Sequence, residues 1–212
     1  MERPILFSGE MVRAILEGRK TQTRRVMKPQ PNPINDKPER GKVYTSGWFE
    51  GEKAPKYVYD LCPYGKPGDL IWVRESLRRY KNLEFLGEDK YTAQYMATNT
   101  AVPYATGAKE GWCGAALWQW KNTACPSIHM PRWACRLILK INSVRVERLW
   151  DISENDAWDE GISDQLSPLD INGIVLFKSL WNSINAKRGY SWESNPWVWV
   201  INFVRRSHET ST

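Results

Sequence analysis

The chain has little of what a disulfide-stabilised or metal-stabilised protein needs. Its 212 residues include four cysteines and two histidines, and no two cysteines form a CxxC pair. Cys125, His129 and Cys135, even with the distant Cys62, do not have the spacing of a standard zinc site. We therefore expect neither a metal nor another cofactor. No signal-peptide pattern opens the sequence, so we expect a cytoplasmic location, where cysteines stay reduced.

Long apolar runs are also missing. A helix needs about 20 mostly apolar residues to span a bilayer, and no stretch of the sequence approaches that length. We therefore expect no membrane association. The 30 lysines and arginines outnumber the 24 acidic residues and give a net charge of +6. This modest excess is compatible with RNA or DNA as a partner, although many proteins that bind neither share it.

Tryptophan, by contrast, is abundant, with 12 residues. Its large flat face suits a buried core, and it also suits a pocket wall or a stack against a nucleobase. The core is the favoured interpretation for most of them. Trp72 and Trp197 fall on predicted strands, which fits a core position. Trp133 falls in a proline-rich connection that could place its indole against a base.

Apolar periodicity predicts a single domain with short strands and few helices. Helices are predicted at "GEMVRAILEG", at "DISENDAWDEGI" with Ser153 and Asp156 as a capping box, and at "DINGIVLFKSLWNSINA". Strands are predicted at "KTQTRRV", "GDLIWVRE", "KYTAQYMA", "WACRLILKINSVRVERL" and "PWVWVINFVRR". Residues 28–60 and 78–123 have weak periodicity and are predicted to be long insertions. The pattern indicates an α+β fold, a small, mostly β barrel with flanking short helices.

The segment that follows the first predicted helix concentrates positive charge and hydroxyl groups. In an ideal strand Thr23 and Arg25 share one face and Lys20 lies on the other. A turn or bulge near Gly18 could bring Lys20 round to the first face. Periodicity alone favours a simpler interpretation, an edge strand whose charges face solvent and prevent aggregation.

The same segment, Gly18-x-Lys20-x-x-Thr23-x-Arg25, resembles the signature of the ASCH domain, a branch of the PUA-like superfamily, usually written G-x-K-x-x-E-x-R. "PGDLIWVRE", "SENDAWDEGI" and "NPWVWVINF" resemble further segments of that family in the same order. The chain also looks like proteins carried by tailed phages and prophages. The resemblance implies a PUA-like mixed β-barrel and a role directed at nucleic acids or nucleosides. PUA-like folds often place an aromatic ring under the bound nucleobase, so the resemblance makes Trp72 and Trp197 candidates for substrate binding. It leaves the two insertions unmatched.

One position departs from the family signature, because Thr23 stands where the family has glutamate. A similar Lys-x-x-Thr arrangement occurs in small bacterial ASCH amidohydrolases that remove the acetyl group from N4-acetylcytidine. Their proposed Lys, Thr and Glu fall by motif on Lys20, Thr23 and Glu160. The resemblance therefore implies hydrolysis of an N4-acylcytidine type of amide. A non-catalytic module that binds RNA or modified nucleic acid is the alternative, and a ribonuclease is a third. The two insertions of this chain are absent from the minimal enzymes, which argues against the amidohydrolase interpretation.

Amide hydrolysis requires an activated nucleophile, a proton shuttle and stabilisation of an oxyanion. Thr23 could supply the hydroxyl. Lys20 could act as a neutral base, or it could stay charged and stabilise the oxyanion while Glu160 acts as the base. Arg25 could orient a base or a phosphate with its bidentate fork. The competing interpretation of Glu160 is a surface charge paired with Arg148.

Two further positions are candidates for substrate binding. Glu75 could offer a second carboxylate, although a salt bridge with a neighbouring strand is the favoured interpretation. His129 lies between prolines, close to Trp133, and could place an imidazole or indole against a base. A rigid connection with an exposed histidine is the favoured interpretation there.

Overall fold

The structure is a computed structural model that describes residues 1–30, 61–80, 91–104, 109–110, 114–162 and 172–206. The strands, in chain order, are β1 Glu2–Leu6, β2 Gln22–Val26, β3 Leu70–Arg74, β4 Leu77–Tyr80, β5 Thr92–Tyr95, β6 Ala124–Cys125, β7 Ile138–Arg148 and β8 Trp197–Arg205. The helices are α1 Gly9–Leu16, α2 Glu154–Asp159 and α3 Gly173–Asn185. The predicted α+β class is confirmed.

The larger sheet has five strands in the order β1-β3-β7-β8-β2. β1 pairs with β3 in parallel, and the remaining pairs are antiparallel. The register between β7 and β8 shifts between Ile141 and Ser143, which marks a bulge in the long strand. The two edge strands approach each other, because Arg25 Nη2 in β2 donates a hydrogen bond of 2.6 Å to the Leu6 carbonyl in β1. The sheet is therefore strongly curled, as expected of a barrel.

β8 supplies side chains to two separate cores. Trp197, Trp199, Ile201 and Phe203 pack with residues of β1, β3 and α1 in the first core. Val198 and Val200 point the opposite way and pack with α2 and α3 in the second. Successive side chains of a strand alternate between faces, so nearly continuous burial means that both faces of β8 are covered. This explains why the sequence of this strand is apolar almost throughout.

The helices begin and end where the sequence predicts. The Ser8 hydroxyl caps α1, and Asn172 caps α3. Ser153 and Asp156 form the predicted capping box of α2. After α1, Gly18 has a φ of +79°, the left-handed conformation that commonly ends a helix. α1 therefore ends just before the charged segment. The turn at Gly18 reverses the chain, and the segment then pairs with β8.

The 78–123 segment is more regular than the sequence suggests. β4 and β5 pair in a second sheet of order β5-β4-β6. This sheet has its own core, which includes Leu77, Ala93 and Tyr95. Most of the predicted 28–60 insertion, residues 31–60, lies outside the described residues. Just before it, the Gln30 side-chain amide donates to the Trp197 carbonyl and accepts from the Trp197 amide. Within the described ranges, no helix has the length and apolar character required to cross a bilayer.

Candidate functional site: a cleft between β2 and α3

A cleft of about 410 Å³ separates β2 from α3. β2 contributes Thr23, Arg24, Arg25 and Val26, and Glu160 lies at the end of α2. The other lining residues are Met11, Lys28, Pro63, Tyr64, Phe177, Leu180, Trp181, Ile184, Asn185, Arg188 and Tyr190. The wall therefore combines aromatic rings with cations, a combination suited to a flat ligand that carries negative charge.

The Lys20 ammonium and the Glu160 carboxylate form a buried ion pair behind this cleft. Lys20 Nζ lies 2.8 Å from Glu160 Oε2 and donates a second hydrogen bond of 2.8 Å to the Glu160 carbonyl. Lys20 is 2% exposed and Glu160 is 4% exposed. Burial lowers the pKa of Lys20 from its ordinary value, whereas the charge of Glu160 acts in the opposite direction. The interpretation of Glu160 as a surface charge paired with Arg148 is wrong. Glu160 is buried against Lys20, and Arg148 donates to the Asn195 carbonyl.

Backbone hydrogen bonds place Glu160 beside Lys20. The two residues form an isolated antiparallel bridge, and the Thr21 amide donates 2.9 Å to the Asp159 carbonyl. Gly161 then turns the chain with a φ of +83°. The end of α2 is therefore hydrogen-bonded directly to the segment that leads into β2. Backbone contacts, and not the Lys20 side chain alone, fix the position of Glu160.

Lys20 and Arg25 both lie close to the ring of Phe7. Lys20 Nζ is 5.6 Å from the ring centroid, and Arg25 Cζ is 5.0 Å from it. An ideal strand would separate these two side chains, but β2 begins only at Gln22, and the left-handed Gly18 precedes the irregular residues. The expected turn near Gly18 therefore brings Lys20 round to the side of Arg25.

Arg24 contacts three carboxylates from two other elements. Its guanidinium lies 3.4 Å from Glu160 and 3.2 Å from both Glu147 in β7 and Asp156 in α2. The side chain is fully buried, so these carboxylates replace the water that a guanidinium would otherwise need. Sequence reasoning missed Arg24 because it considered the opposite face of the strand. The Arg24-Arg25 doublet was the available signal.

Thr23 is a buried residue of β2 in the wall of the cleft. It is 2% exposed and lines the cleft together with Glu160, whereas Lys20 is not among the lining residues. Thr23 and Glu160 are therefore both wall residues of the cleft, and the Lys20 ammonium contacts the Glu160 carboxylate. Such a set can accept a proton from an attacking oxygen and deliver it to a leaving group.

The structure does not bring the remaining candidates into this cleft. Glu75 is buried and binds Arg136 through both carboxylate oxygens, at 2.8 and 2.7 Å. His129 is exposed at the end of a short turn, as the favoured interpretation predicts. Trp72 lies beneath Arg74 and Arg132, Trp133 stacks near Trp120, and Trp197 is in the first core. Their assignment to substrate binding stays a prediction.

Several cleft residues were absent from the sequence-based candidates. Tyr64 and Tyr190 come from loops, and Phe177 and Trp181 come from the apolar face of α3, which periodicity assigns to a core. Lys28 and Arg188 follow regular elements and have no motif of their own. Among the residues described here, no cluster of three or more histidine, cysteine or acidic side chains is arranged to hold a metal ion.

A comparison with solved structures finds an alignment over most of the chain. The crystal structure of an ASCH domain from Lactobacillus crispatus JV V101 aligns with 96% of this chain and 79% of that chain, at 12% identity and a TM-score of 0.40. No protein-family model matches the chain, and no curated protein does. Because one fold hosts many activities, the side chains of the cleft must carry the functional assignment.

Proposed function

We propose that this chain hydrolyses an amide on a modified nucleoside, of the N4-acylcytidine type, in the cleft between β2 and α3. The observation that supports this most directly is the buried Lys20–Glu160 pair behind a wall that contains Thr23. A volume of about 410 Å³ and the rings of Phe177, Trp181 and Tyr190 suit a nucleobase.

In the proposed reaction the Thr23 hydroxyl oxygen adds to the acyl carbon. Its proton passes to the Glu160 carboxylate and then to the amine nitrogen as the C–N bond breaks. The products of this step are the free cytosine amine and an acyl ester on Thr23. Water then attacks the ester, the acyl–oxygen bond to Thr23 breaks and the carboxylic acid is released, while one proton of that water passes to the Thr23 oxygen. The steps balance without a redox partner.

Lys20 acts in this scheme through Glu160. Its two hydrogen bonds fix the carboxylate, and its charge stabilises the deprotonated form that accepts the proton. Because Lys20 does not line the cleft, its expected effect is on turnover more than on substrate binding.

The test follows deacylation of N4-acetylcytidine by the absorbance change of the base. Thr23→Val and Glu160→Gln are expected to lower kcat by at least about 100-fold, since each removes a group that handles the reacting proton. Thr23→Ser should retain part of the activity. Lys20→Met should lower kcat with a smaller effect on KM.

Thr21→Val and Asp159→Asn are the matched controls. Thr21 directly follows Lys20 in the sequence, and Asp159 directly precedes Glu160. The Thr21 hydroxyl donates to the Asp159 carboxylate at 3.0 Å, and neither residue lines the cleft. Both should keep wild-type kcat. An absence of wild-type turnover on every acylated nucleoside tested would refute the proposed hydrolase.

A second candidate is a non-catalytic module that binds RNA or modified nucleic acid. Of the residues that the structure describes, four cations line the cleft, Arg24, Arg25, Lys28 and Arg188, against the single carboxylate of Glu160. Such a module would bind an oligonucleotide with an affinity that falls steeply as salt increases. Arg25→Ala should weaken that binding and flatten the salt dependence, and an unchanged slope would exclude this surface.

A further inference from the structure

The cleft has more positive charge than the proposed reaction uses. Arg24 is neutralised by its three carboxylates, and Glu160 is engaged by Lys20 and Arg24. Arg25, Lys28 and Arg188 line the same cleft, and none of them forms a salt bridge with another described residue. A neutral nucleoside would leave these three cations without a function.

Arg25 is held in place as a donor before any ligand arrives. Its Nη2 donates to the Leu6 carbonyl at 2.6 Å, and its guanidinium lies against the Phe7 ring. Its Nε is buried and has no hydrogen-bond partner among the described residues. A buried donor without a partner is costly, and a ligand oxygen would remove that cost.

Arg188 adds a second, like charge nearby. Burial lowers the pKa of the Arg25 guanidinium, Tyr64 and the charge of Glu160 act in the opposite direction, and the charge of Arg188 lowers that pKa further. Two cations that disfavour each other across a cleft are stabilised when an anion binds between them. Arg188 is exposed and extends from the turn after α3, so it can adjust to such an anion.

The cations also lie in a suitable order along the chain. Thr23 and Arg25 are on the same face of β2, and Lys28 follows three residues later, next to the Tyr190 ring at 5.4 Å. The path from Thr23 to Lys28 spans at most about 17 Å in an extended chain. This upper limit is compatible with a base and a sugar between the reacting amide and a phosphate held by Lys28.

We propose that the cleft binds a phosphorylated nucleoside, with the phosphate held by Arg25, Lys28 and Arg188 and the acylated base directed to Thr23 and Glu160. This inference rests on the proposed function for the fate of the base. The phosphate can come from a free nucleotide or from a nucleic acid strand, since both offer the same oxygens to a guanidinium.

Binding is measured first, because it does not depend on turnover. Calorimetric titration with cytidine and with cytidine 5′-monophosphate is expected to show at least about tenfold tighter binding of the monophosphate, as one charge-assisted hydrogen bond would give. Arg188→Gln and Lys28→Gln should each remove most of this ratio. Lys187→Gln, an exposed cation in the same turn that does not line the cleft, should preserve it.

Turnover then separates this inference from the proposed function. N4-acetylcytidine, its 5′-monophosphate and an oligonucleotide with one internal N4-acetylcytidine are compared by kcat/KM. Preference for the monophosphate identifies a free nucleotide, and preference for the oligonucleotide identifies a strand. Equal binding of cytidine and its monophosphate would overturn the phosphate site even if deacylation occurs. Tighter binding of the monophosphate without any deacylation would keep the phosphate site and refute the hydrolase.

Discussion

At the residue scale, Gly161 shows how closely the chain packs around the ion pair. A Cβ at this position would lie 2.7 Å from the Lys20 Cβ and 2.8 Å from the Ala14 Cβ. Gly189 has almost the same backbone conformation, with φ of +85° against +83°, but a Cβ there would meet nothing within 4 Å. The two glycines therefore separate the cost of the left-handed backbone from the cost of a steric clash.

We expect Gly189→Ala to lower the free energy of unfolding by about 1 kcal/mol, the cost of a left-handed alanine. Gly161→Ala should cost at least about 2 kcal/mol more, because Lys20 and Ala14 must shift. Urea denaturation of both variants measures the difference. Equal losses would mean that the contact with Lys20 relaxes freely, contrary to the packing described.

The candidate site was only partly predictable at this scale. Spacing alone favoured a solvent-facing edge strand, and the family resemblance singled out Lys20, Thr23 and Glu160 as catalytic candidates. Arg24 was missed because its role depends on Glu147 and Asp156, which are more than 100 positions away in the sequence. The Arg24-Arg25 doublet marks this residue in the sequence, but no local pattern identifies partners that are so distant along the chain.

At the scale of elements, the Glu75–Arg136 pair joins the two sheets. Arg136 also donates to the Thr98 hydroxyl at 2.9 Å and lies 3.8 Å from the Tyr95 ring centroid. Glu75 follows β3 and precedes β4, whereas Arg136 precedes β7. The pair is therefore a link between the larger sheet and the loop after β5.

Glu75→Ala should lower the free energy of unfolding by about 3 kcal/mol, since it leaves Arg136 largely buried without its partner. Glu2→Ala removes the partner of Arg132 in an exposed pair, and should cost less than about 1 kcal/mol. Chemical denaturation gives both values, and hydrogen exchange should be faster in β5 of the first variant only. A loss no larger than that of Glu2→Ala would show that the pair does not join the sheets.

The elements themselves were predictable where periodicity is strong. α3 and β8 follow from amphipathic and continuous apolar patterns, and the α2 capping box follows from Ser153 and Asp156. The small sheet was underestimated, with only β5 recognised, because its strands are two to four residues long and pair across irregular segments. Strands this short carry too few alternations to show a period.

For the whole molecule, the buried charge network ties stability to pH. Burial opposes ionisation of Asp156, but the Arg24 charge and hydrogen bonds from Ser153 more than compensate and lower its pKa to about 2. A carboxyl whose pKa is lower in the folded state than in the unfolded state stabilises the protein when the pH is above the unfolded pKa, which is 3.8 here. That contribution is lost as the pH falls from about 4 to about 2.

We expect Asp156→Asn to lower the free energy of unfolding by about 2 kcal/mol at pH 7, because the shift corresponds to that amount. The difference from wild type should shrink between about pH 4 and pH 2. Urea denaturation across this range measures it, with Glu193→Gln as a control, since Glu193 forms an exposed pair with Lys178. A difference that stays constant with pH would exclude ionised Asp156 as its source.

The backbone bridge between Lys20 and Glu160 affects how this protein can diverge. The two side chains are 140 positions apart in the sequence, yet adjacent main-chain hydrogen bonds set their separation. Insertions or deletions in the intervening chain can therefore accumulate without altering the distance between ammonium and carboxylate. A distant homologue could keep this ion pair although most of its remaining sequence has changed.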